Sequence, residues 1–289
     1  MPGARIDVGI VTWNTRDLTL AAVERALAAA SADLEVRVLL RDNGSTDGTV
    51  EAVRLAHPDV LVDSGDNIGF AAGVNTLLEH SDAPWFFLLN SDAWPQADAL
   101  AELVAVAGRH PLAGLVAPRL VRPDGSVEPS THALPSLRTA LAGVLGGPPA
   151  PPSVEGPVGW AVGAALLLRR EAVDDIGPWD ERYFMYAEDL DYCWRARQRG
   201  WQVCFAPQAV VTHVGNASGA QRFGEQREQV AIGNANRVVQ ERLGPVRAAG
   251  WRGLNAASAV RMAVVAECRG ERDRAAFWWR QLPAHLGRR

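Results

Sequence analysis

The chain has 289 residues, 48% apolar and 21% charged, which suffices for one large α/β domain with extensions or for two modest domains. Its net charge of −4 is unevenly divided: residues 250–289 hold eight arginines against Glu267, Glu271 and Asp273, a net of +5, so the first 249 residues carry −9. An acidic body argues against broad nucleic-acid binding, which needs a basic face on the main domain, and leaves room for a basic tail that touches anionic lipid or a partner.

Ile6-Asp7-Val8-Gly9-Ile10-Val11 reads as a strand where a secretory leader would show a basic and then an apolar region. Strand Ile6–Trp13 precedes a helix over Leu18–Ala30, predicted from the spacing of Leu18, Val23 and Leu27. Strand Val36–Arg41 and a helix over Asp47–Ala56 follow, with Ser45 or Thr46 as its cap. Then come a short strand Val60–Asp63, a helix Gly69–His80 and a buried strand Trp85–Leu89. This alternation predicts a mostly parallel sheet covered on both faces. Ligands of such sheets lie beyond the carboxyl ends of the strands. The candidate loops are therefore Thr12–Asp17, Asp42–Asp47, Asp63–Gly69 and Asn90–Pro95. Turn formation accounts for any one of these polar loops alone; the four together point to one composite site.

From Arg119 to Val158 the pattern degrades, with a turn at Pro123-Asp124-Gly125 and a flexible or polyproline stretch over residues 146–152, either a surface loop or a lid. A strand over Val162–Arg169 leads into Arg170–Ile176 and Asp180–Gly200, then strands Gln202–Ala206 and Val210–His213; beyond Gly219 the chain is mostly helical. The longest apolar run, Trp160 to Leu168, falls short of the roughly 20 residues that cross a bilayer. Cys193, Cys204 and Cys268 form no CxxC and are odd in number, as expected of free thiols in a reducing compartment. The expectation is a cytoplasmic protein, peripheral to the inner face of a membrane at most.

Five elements carry chemistry. Asp42-Asn43-Gly44-Ser45-Thr46-Asp47-Gly48-Thr49 ends a strand and opens a helix, so Asp42 can accept from a nucleobase imide or a ribose hydroxyl. It is neither a P-loop nor GxGxxG. Asn67-Ile68-Gly69-Phe70 enters the next helix; Gly69 and Gly73 either admit a phosphate or sugar close to the backbone or allow close helix packing. Asn90-Ser91-Asp92 sets two oxygen-bearing side chains at i and i+2, suited to Mg²⁺ or Mn²⁺ shared with a diphosphate, or to an Asx-turn. Glu188 and Asp189 fall in the first turn of a helix whose buried face is Leu190, Cys193, Trp194 and Arg197, either as capping charges or as working acids. His213 ends a strand before a small-residue loop, as a structural histidine or a ligand.

The segments IVTWN, LLRDNGSTDGT, DNIGFAAGVN, FLLNSD, GAALLLRRE, YFMYAEDLDYCWRARQRGW and HVGNASG occur in that order over roughly residues 5–220. Together they resemble a family 2 glycosyltransferase of the GT-A fold, in its rhamnosyltransferase-like and galactofuranosyltransferase-like branch. The resemblance implies a Rossmann-like nucleotide-binding α/β domain over 1–219, with a nucleotide-sugar half over about 1–118 and an acceptor half over about 119–219. A helical extension over 220–289 would follow.

The resemblance also implies an inverting transfer from a nucleotide-diphosphate sugar (dTDP-, UDP- or GDP-linked) to an acceptor hydroxyl, with Mg²⁺ or Mn²⁺ and without nucleic acid. Thr12, Asn14 and Asp42 would hold the nucleoside, with Asn67 and Gly69 near the diphosphate or ribose. Asn90, Ser91 and Asp92 match the DxD element, in which Asn90 replaces the first carboxylate and weakens the case for strict metal dependence. Asp189, beside Glu188, matches the catalytic base, and His213 matches a histidine that completes the metal site. Trp160, Gly163 and Ala164 would lie near donor sugar or acceptor. The chemistry agrees with this inventory: a divalent ion stabilises the departing diphosphate, and a base takes the acceptor proton. Two alternatives stand beside it, a catalytically impaired nucleotide-sugar binding protein and a sugar nucleotidyltransferase, which would want a basic Gly-rich triphosphate loop. In the tail, Val260 with Val264 and Trp278 with Leu282 sit at helical spacing among arginines. Such a tail either packs on the catalytic domain or meets a membrane or lipid-linked acceptor.

Overall fold

Alternate residues of the first strands face opposite ways, and each set finds its own helices. The computed structural model describes residues 3–146, 152–215 and 221–287. The chain opens with β1 (Ala4–Thr12), α1 (Arg16–Leu27), β2 (Leu34–Asp42), α2 (Thr49–Ala56), β3 (Leu61–Ser64), α3 (Phe70–Glu79) and β4 (Trp85–Asn90). It continues through β5 (Ala93–Pro95), α4 (Ala99–Arg109), β6 (Ala113–Val121), β7 (Val127–Glu128), β8 (Thr131–His132) and α5 (Leu137–Leu145). Then follow β9 (Gly156–Val158), β10 (Trp160–Ala161), β11 (Ala165–Arg169), α6 (Arg170–Ile176), α7 (Glu188–Gln198) and β12 (Gln202–His213). Three long helices close the described chain: α8 (Arg227–Leu243), α9 (Pro245–Cys268) and α10 (Arg272–His285).

The main sheet runs β3-β2-β1-β4-β11-β6-β12-β5. Strands β3, β2, β1 and β4 are mutually parallel, as are β6 and β12, while β11 runs antiparallel between β4 and β6. Ile6, Val8, Ile10 and Leu40 pack with Val23 of α1 and Leu103 of α4 on one face. Leu39, Phe86 and Leu88 pack with Val74 and Leu77 of α3 and Tyr192 of α7 on the other. The period-2 split of one strand between two cores is what a sheet with helices on both faces demands. Gly9 sits mid-strand because a Cβ there would meet the Phe86 ring at 2.1 Å.

The strand–helix alternation expected up to β4 is present, with boundaries moved by a few residues. Helix α2 begins at Thr49 and is entered through Gly48 at φ 80°; neither Ser45 nor Thr46 caps it. The Asp47 carboxylate takes the Thr49 amide instead, and Ser45 accepts from the Asn14 amide. Helix α4 and strand β6 have no counterpart among the predicted elements, and α5 lies where a loop or lid was expected. The strands expected at Gln202–Ala206 and Val210–His213 are one strand, β12, whose register shifts between Ala206 and Val210. Pro207 cannot donate to the ladder there, and its carbonyl is taken by the Arg119 guanidinium.

The chain divides into two units, Met1–His132 with Pro152–Arg222, and Ala133–Pro151 with Phe223–Arg289. The second is helical: α5 packs on α9, and α9 on α8 and α10. Residues 147–151 of the expected polyproline stretch and 216–220 of the loop after His213 lie outside the described residues. Among the described residues no helix is long and apolar enough to cross a membrane. Cys193, Cys204 and Cys268 are free.

Candidate active site

The carboxyl ends of β1, β2 and β4 converge with the start of α7 and the end of β12. At the end of β1 the Thr12 hydroxyl is buried against Thr19 (2.7 Å) and Thr15 (2.9 Å), and Thr15 reaches the Ser91 hydroxyl at 3.0 Å. The Thr12 carbonyl accepts from the Asn43 amide. Asn14 takes a left-handed φ of 51°, its side-chain oxygen accepts from Thr46 N at 2.8 Å, and its carbonyl accepts from Gln221. At the end of β2 the Asp42 carboxylate accepts from Gly44 N, Ser45 N and the Ser64 hydroxyl, mostly through Oδ2. Asn14 and the Thr12 carbonyl thus fasten the loops after β1 and β2 to each other, and Asp42 ties the loop after β2 to the end of β3 through Ser64.

Arg41 and Asn43, two residues the sequence did not single out, brace the same region. The Arg41 guanidinium pairs with Asp63 at 2.9 Å and donates to the Asp66 carbonyl, while Asn43 Nδ2 donates to the Gly69 carbonyl. Asn67 folds its Oδ1 onto Gly69 N. Gly69 has φ 89°, and a Cβ there would lie 2.6 Å from the Phe184 carbonyl oxygen, which accepts from Phe70 N at 2.7 Å. Only glycine satisfies both the backbone angle and the close approach.

Asn90-Ser91-Asp92 turns the chain from β4 into β5, and β5 pairs antiparallel with the end of β12, His213 opposite Ala93. That pairing is why a histidine 121 residues away meets the turn: His213 Nε2 is 3.4 Å from Asp92 Oδ1 and 3.5 Å from Asn90 Nδ2. Across the ring, His213 Nδ1 is 3.0 Å from Glu128 Oε2. Burial opposes the imidazolium, but hydrogen bonds and charge from Asp92 and Glu128 outweigh it and hold the His213 pKa above the usual histidine range. Glu128 was not foreseen. Its signal was the turn at Pro123–Gly125, since a hairpin return along β6 sets Glu128 opposite Leu120.

Tyr186 and Ala187, both at left-handed φ (70° and 71°), deliver the chain into α7. Such backbone costs about 1–3 kcal/mol per residue and concentrates at functional sites. Asp189 Oδ2 accepts from Gly163 N at 2.9 Å and Oδ1 from Leu190 N at 2.7 Å. Burial raises the Asp189 pKa against these amides. Glu188 is buried, its Oε2 has no partner among the described residues, and its pKa is pushed well up, first by burial and then by the Asp189 charge. Of the two acids, Glu188 is the one built to keep its proton. The neighbouring residue closes the circuit: the Ala164 carbonyl accepts from Asn90 N at 2.9 Å. One dipeptide, Gly163-Ala164, thus fixes both Asp189 and the Asn90 turn. Trp160 stacks on His132 with ring centroids 4.7 Å apart.

The donors around His213 and Asp92 are hard oxygen and imidazole nitrogen, which suit Mg²⁺ or Mn²⁺, and Glu128 behind the ring is the orienting partner a metal-binding histidine requires. Among the described residues no three His, Cys, Asp or Glu form a metal cage. An ion there would complete its shell with substrate diphosphate oxygens and water.

A family model described as glycosyltransferase like family 2 matches residues 2–231. The chain belongs to glycosyltransferase family 2. This family 2 enzyme is 39% identical over 219 residues to N-acetylglucosaminyl-diphospho-decaprenol L-rhamnosyltransferase of Mycobacterium tuberculosis, covering 66% of this chain and 71% of that protein. It is 31% identical over 184 residues to the pre-mycofactocin glycosyltransferase of the same organism, covering 62% of this chain and 37% of the relative. Two solved structures share the fold. Mannosyltransferase PcManGT from Pyrobaculum calidifontis, in complex with GDP-Man and Mn²⁺, has a TM-score of 0.58 at 20% identity and covers 98% of this chain and 85% of that one. GalNAc-T7 with UDP, GalNAc and Mn²⁺ has a TM-score of 0.61 at 14% identity; 82% of this chain matches 48% of that one, so this chain spans about half its length. Their GT-A architecture is the one expected from the motif order.

Proposed function

We propose that this family 2 enzyme transfers a sugar, with rhamnose or another deoxysugar the leading candidate, from a nucleotide-diphosphate donor to an acceptor hydroxyl with inversion. The observation that carries the reading is the Gly163-Ala164 link, which holds a carboxylate with a raised pKa in fixed relation to the Asn90-Ser91-Asp92 turn. A base and a diphosphate-binding turn, held rigidly to each other, are the two groups an anomeric displacement needs. The rhamnosyltransferase relative supports the choice of sugar class, and the N-acetylglucosaminyl-diphospho-decaprenol in its name supports a lipid-linked glycan precursor as acceptor.

In this reading Thr12, Asn14 and Asp42 shape the nucleoside pocket, with Asp42 Oδ1, whose contact is the long 3.3 Å bond from Ser45 N, able to accept from a base or ribose donor as well. Asn67 and Gly69 set the entry of α3 beside the ribose or diphosphate. Asp92 and His213 would hold Mg²⁺ or Mn²⁺, with Asn90 beside them, and Ser91 fixes the turn. When bound, that ion offsets the charge that develops on the departing diphosphate. Asp189 takes the proton of the attacking hydroxyl as the new glycosidic bond forms and the bond to the diphosphate breaks. Protonated Glu188 keeps a second negative charge away from that carboxylate. Trp160 and Gly163 border the sugar. A peripheral membrane contact through the helical unit belongs to the same reading.

Asp189→Asn tests it. Loss of a general base lowers transfer by about 10²- to 10⁴-fold, while stabilisation by the donor nucleotide in thermal melts is retained. Near wild-type transfer by the variant removes Asp189 as the base. A melt series with dTDP, UDP and GDP, with and without Mn²⁺, identifies the nucleotide.

A further inference from the structure

Helix α5 turns an apolar arc outward. Leu137, Arg138, Leu141 and Leu145 fall within about 100° of the helix circumference, and the three leucines are 41%, 46% and 77% exposed. The other side is engaged: Ala140 is buried, and the Gly143 carbonyl accepts from Ser258 of α9 at 3.1 Å. Leu137 lies against the start of α9, where a Cβ on Gly250 would be 3.1 Å from Leu137 Cδ2. One turn before Gly250 on the same helix face is Val246, 84% exposed, with exposed Arg247 next to it. Val246, Leu137, Leu141 and Leu145 thus form a run of exposed apolar surface across two helices, with Arg138 and Arg247 set into it.

The segments that carry this surface bear charge of one sign. Residues 133–151 and 244–266 contain Arg138, Arg247, Arg252 and Arg261 and no acid. The helical unit as a whole holds thirteen arginines against six acids, a net of +7, so the rest of the chain carries −11. An exposed apolar patch edged by cations that lack acidic partners is what an anionic bilayer binds: leucines enter the acyl boundary while guanidinium groups stay among the headgroups. We propose that the surface of Val246, Leu137, Leu141 and Leu145, with Arg138 and Arg247, docks on an anionic lipid bilayer. This rests on the proposed function only in locating its membrane contact, and places it on α5 and the start of α9, not on the tail as a whole.

The full chain is floated with vesicles of equimolar phosphatidylglycerol and phosphatidylcholine, and with phosphatidylcholine alone. Wild type is expected to bind the first and not the second, and to release as salt is raised. The double variant Leu141→Glu/Leu145→Glu is expected to lose binding with its melting temperature and donor-nucleotide stabilisation unchanged. Arg138→Gln/Arg247→Gln is expected to bind roughly twenty-five-fold less tightly, since each arginine at an anionic surface contributes about fivefold. No binding by wild type, equal binding to both vesicles, or undiminished binding by the leucine variant overturns the proposal. So does vesicle-free dimerisation of wild type that the leucine variant abolishes, which makes a second copy the occupant. Asp189→Asn is expected to float like wild type, so the membrane contact and the transfer reaction fail separately.

Discussion

Glu128 Oε2 stands 3.0 Å from Nδ1 of His213, while Nε2 of the same ring stands 3.4 Å from Asp92 Oδ1. The histidine is therefore held from behind by one carboxylate and presented to another. Where an imidazole binds a metal, a partner of this kind fixes its tautomer and direction, and its loss typically weakens metal affinity 10- to 100-fold. Glu128→Ala is expected to weaken Mn²⁺ binding within that range in the presence of the donor nucleotide, and Glu128→Gln to retain most of it because its amide oxygen still accepts from Nδ1–H. Titration followed by Mn²⁺ electron paramagnetic resonance reads this without any turnover. Equal affinities in all three proteins would leave Glu128 with no part in the site.

Two glycines at positive φ differ sharply in what an added side chain would cost. Gly48 (φ 80°, ψ 18°) is left-handed helical with nothing within 4 Å of a Cβ, whereas Gly69 (φ 89°, ψ 176°) lies in a region essentially confined to glycine and a Cβ there meets the Phe184 carbonyl oxygen at 2.6 Å. Gly48→Ala is expected to cost only the conformational term, about 1 kcal/mol. Gly69→Ala must also push away the carbonyl that accepts from Phe70 N, so it is expected to lower the melting temperature further and to weaken donor-nucleotide binding. Thermal melts with and without nucleotide compare the two. Matched losses would mean that the Phe184 approach is unimportant.

The first half of the fold was legible because β1, β2 and β4 are apolar runs ending in Thr12, Asp42 and Asn90, and each end is followed by small polar residues and then a helix. The composite site could be anticipated there because parallel strands bring their carboxyl ends to one edge. Between Pro95 and Pro152 the signals failed for identifiable reasons. Strand β6 carries Pro118 in its ladder, and α5 is capped by a Ser136–Thr139 box in which Thr139 replaces the expected acid or amide. Its leucines recur at i, i+4 and i+8, but Pro135 before it and the Gly-Pro run after it read as loop. The pairing of His213 with Asp92 depends on β5, a three-residue strand that no periodicity reveals. Glu128 and Thr15 act across 85 and 76 residues of sequence, so local pattern could not pair them with His213 and Ser91.

Thr15 offers a test of how the Asn90-Ser91-Asp92 turn is held. Its hydroxyl lies within 3.1 Å of those of Thr12, Thr19 and Ser91, making one buried network from the end of β1 to the turn. Thr15→Val keeps the shape but strips the shared partner from three buried hydroxyls, at about 1–3 kcal/mol of stability. Because Ser91 sits between Asn90 and Asp92, the variant is also expected to bind Mn²⁺ with nucleotide more weakly, and Thr15→Ser to restore both properties. If Thr15→Val loses stability but keeps wild-type Mn²⁺ affinity, the network supports the fold and not the turn.

The last prediction concerns the acid next to the base. Glu188 is buried with Oε2 unpartnered, and its folded pKa is well above its ordinary value of 4.5, because burial and the Asp189 charge both disfavour its ionised form. A carboxyl of this kind binds its proton more tightly folded than unfolded. Its contribution to stability is therefore complete below about pH 4.5 and is lost as pH rises toward the folded pKa. Glu188→Gln removes that titration while keeping the shape. Wild type is expected to lose stability across this window relative to the variant, so that Glu188→Gln is the more stable protein at neutral and mildly alkaline pH. Asp189 titrates in the same direction and is present in both proteins, so the difference between their denaturant midpoints, measured from pH 4 to 8, reports Glu188 together with its charge interaction with Asp189. A difference that does not change with pH would show that Glu188 ionises in the folded protein as readily as in the unfolded one, and it would leave Asp189 facing a second full charge.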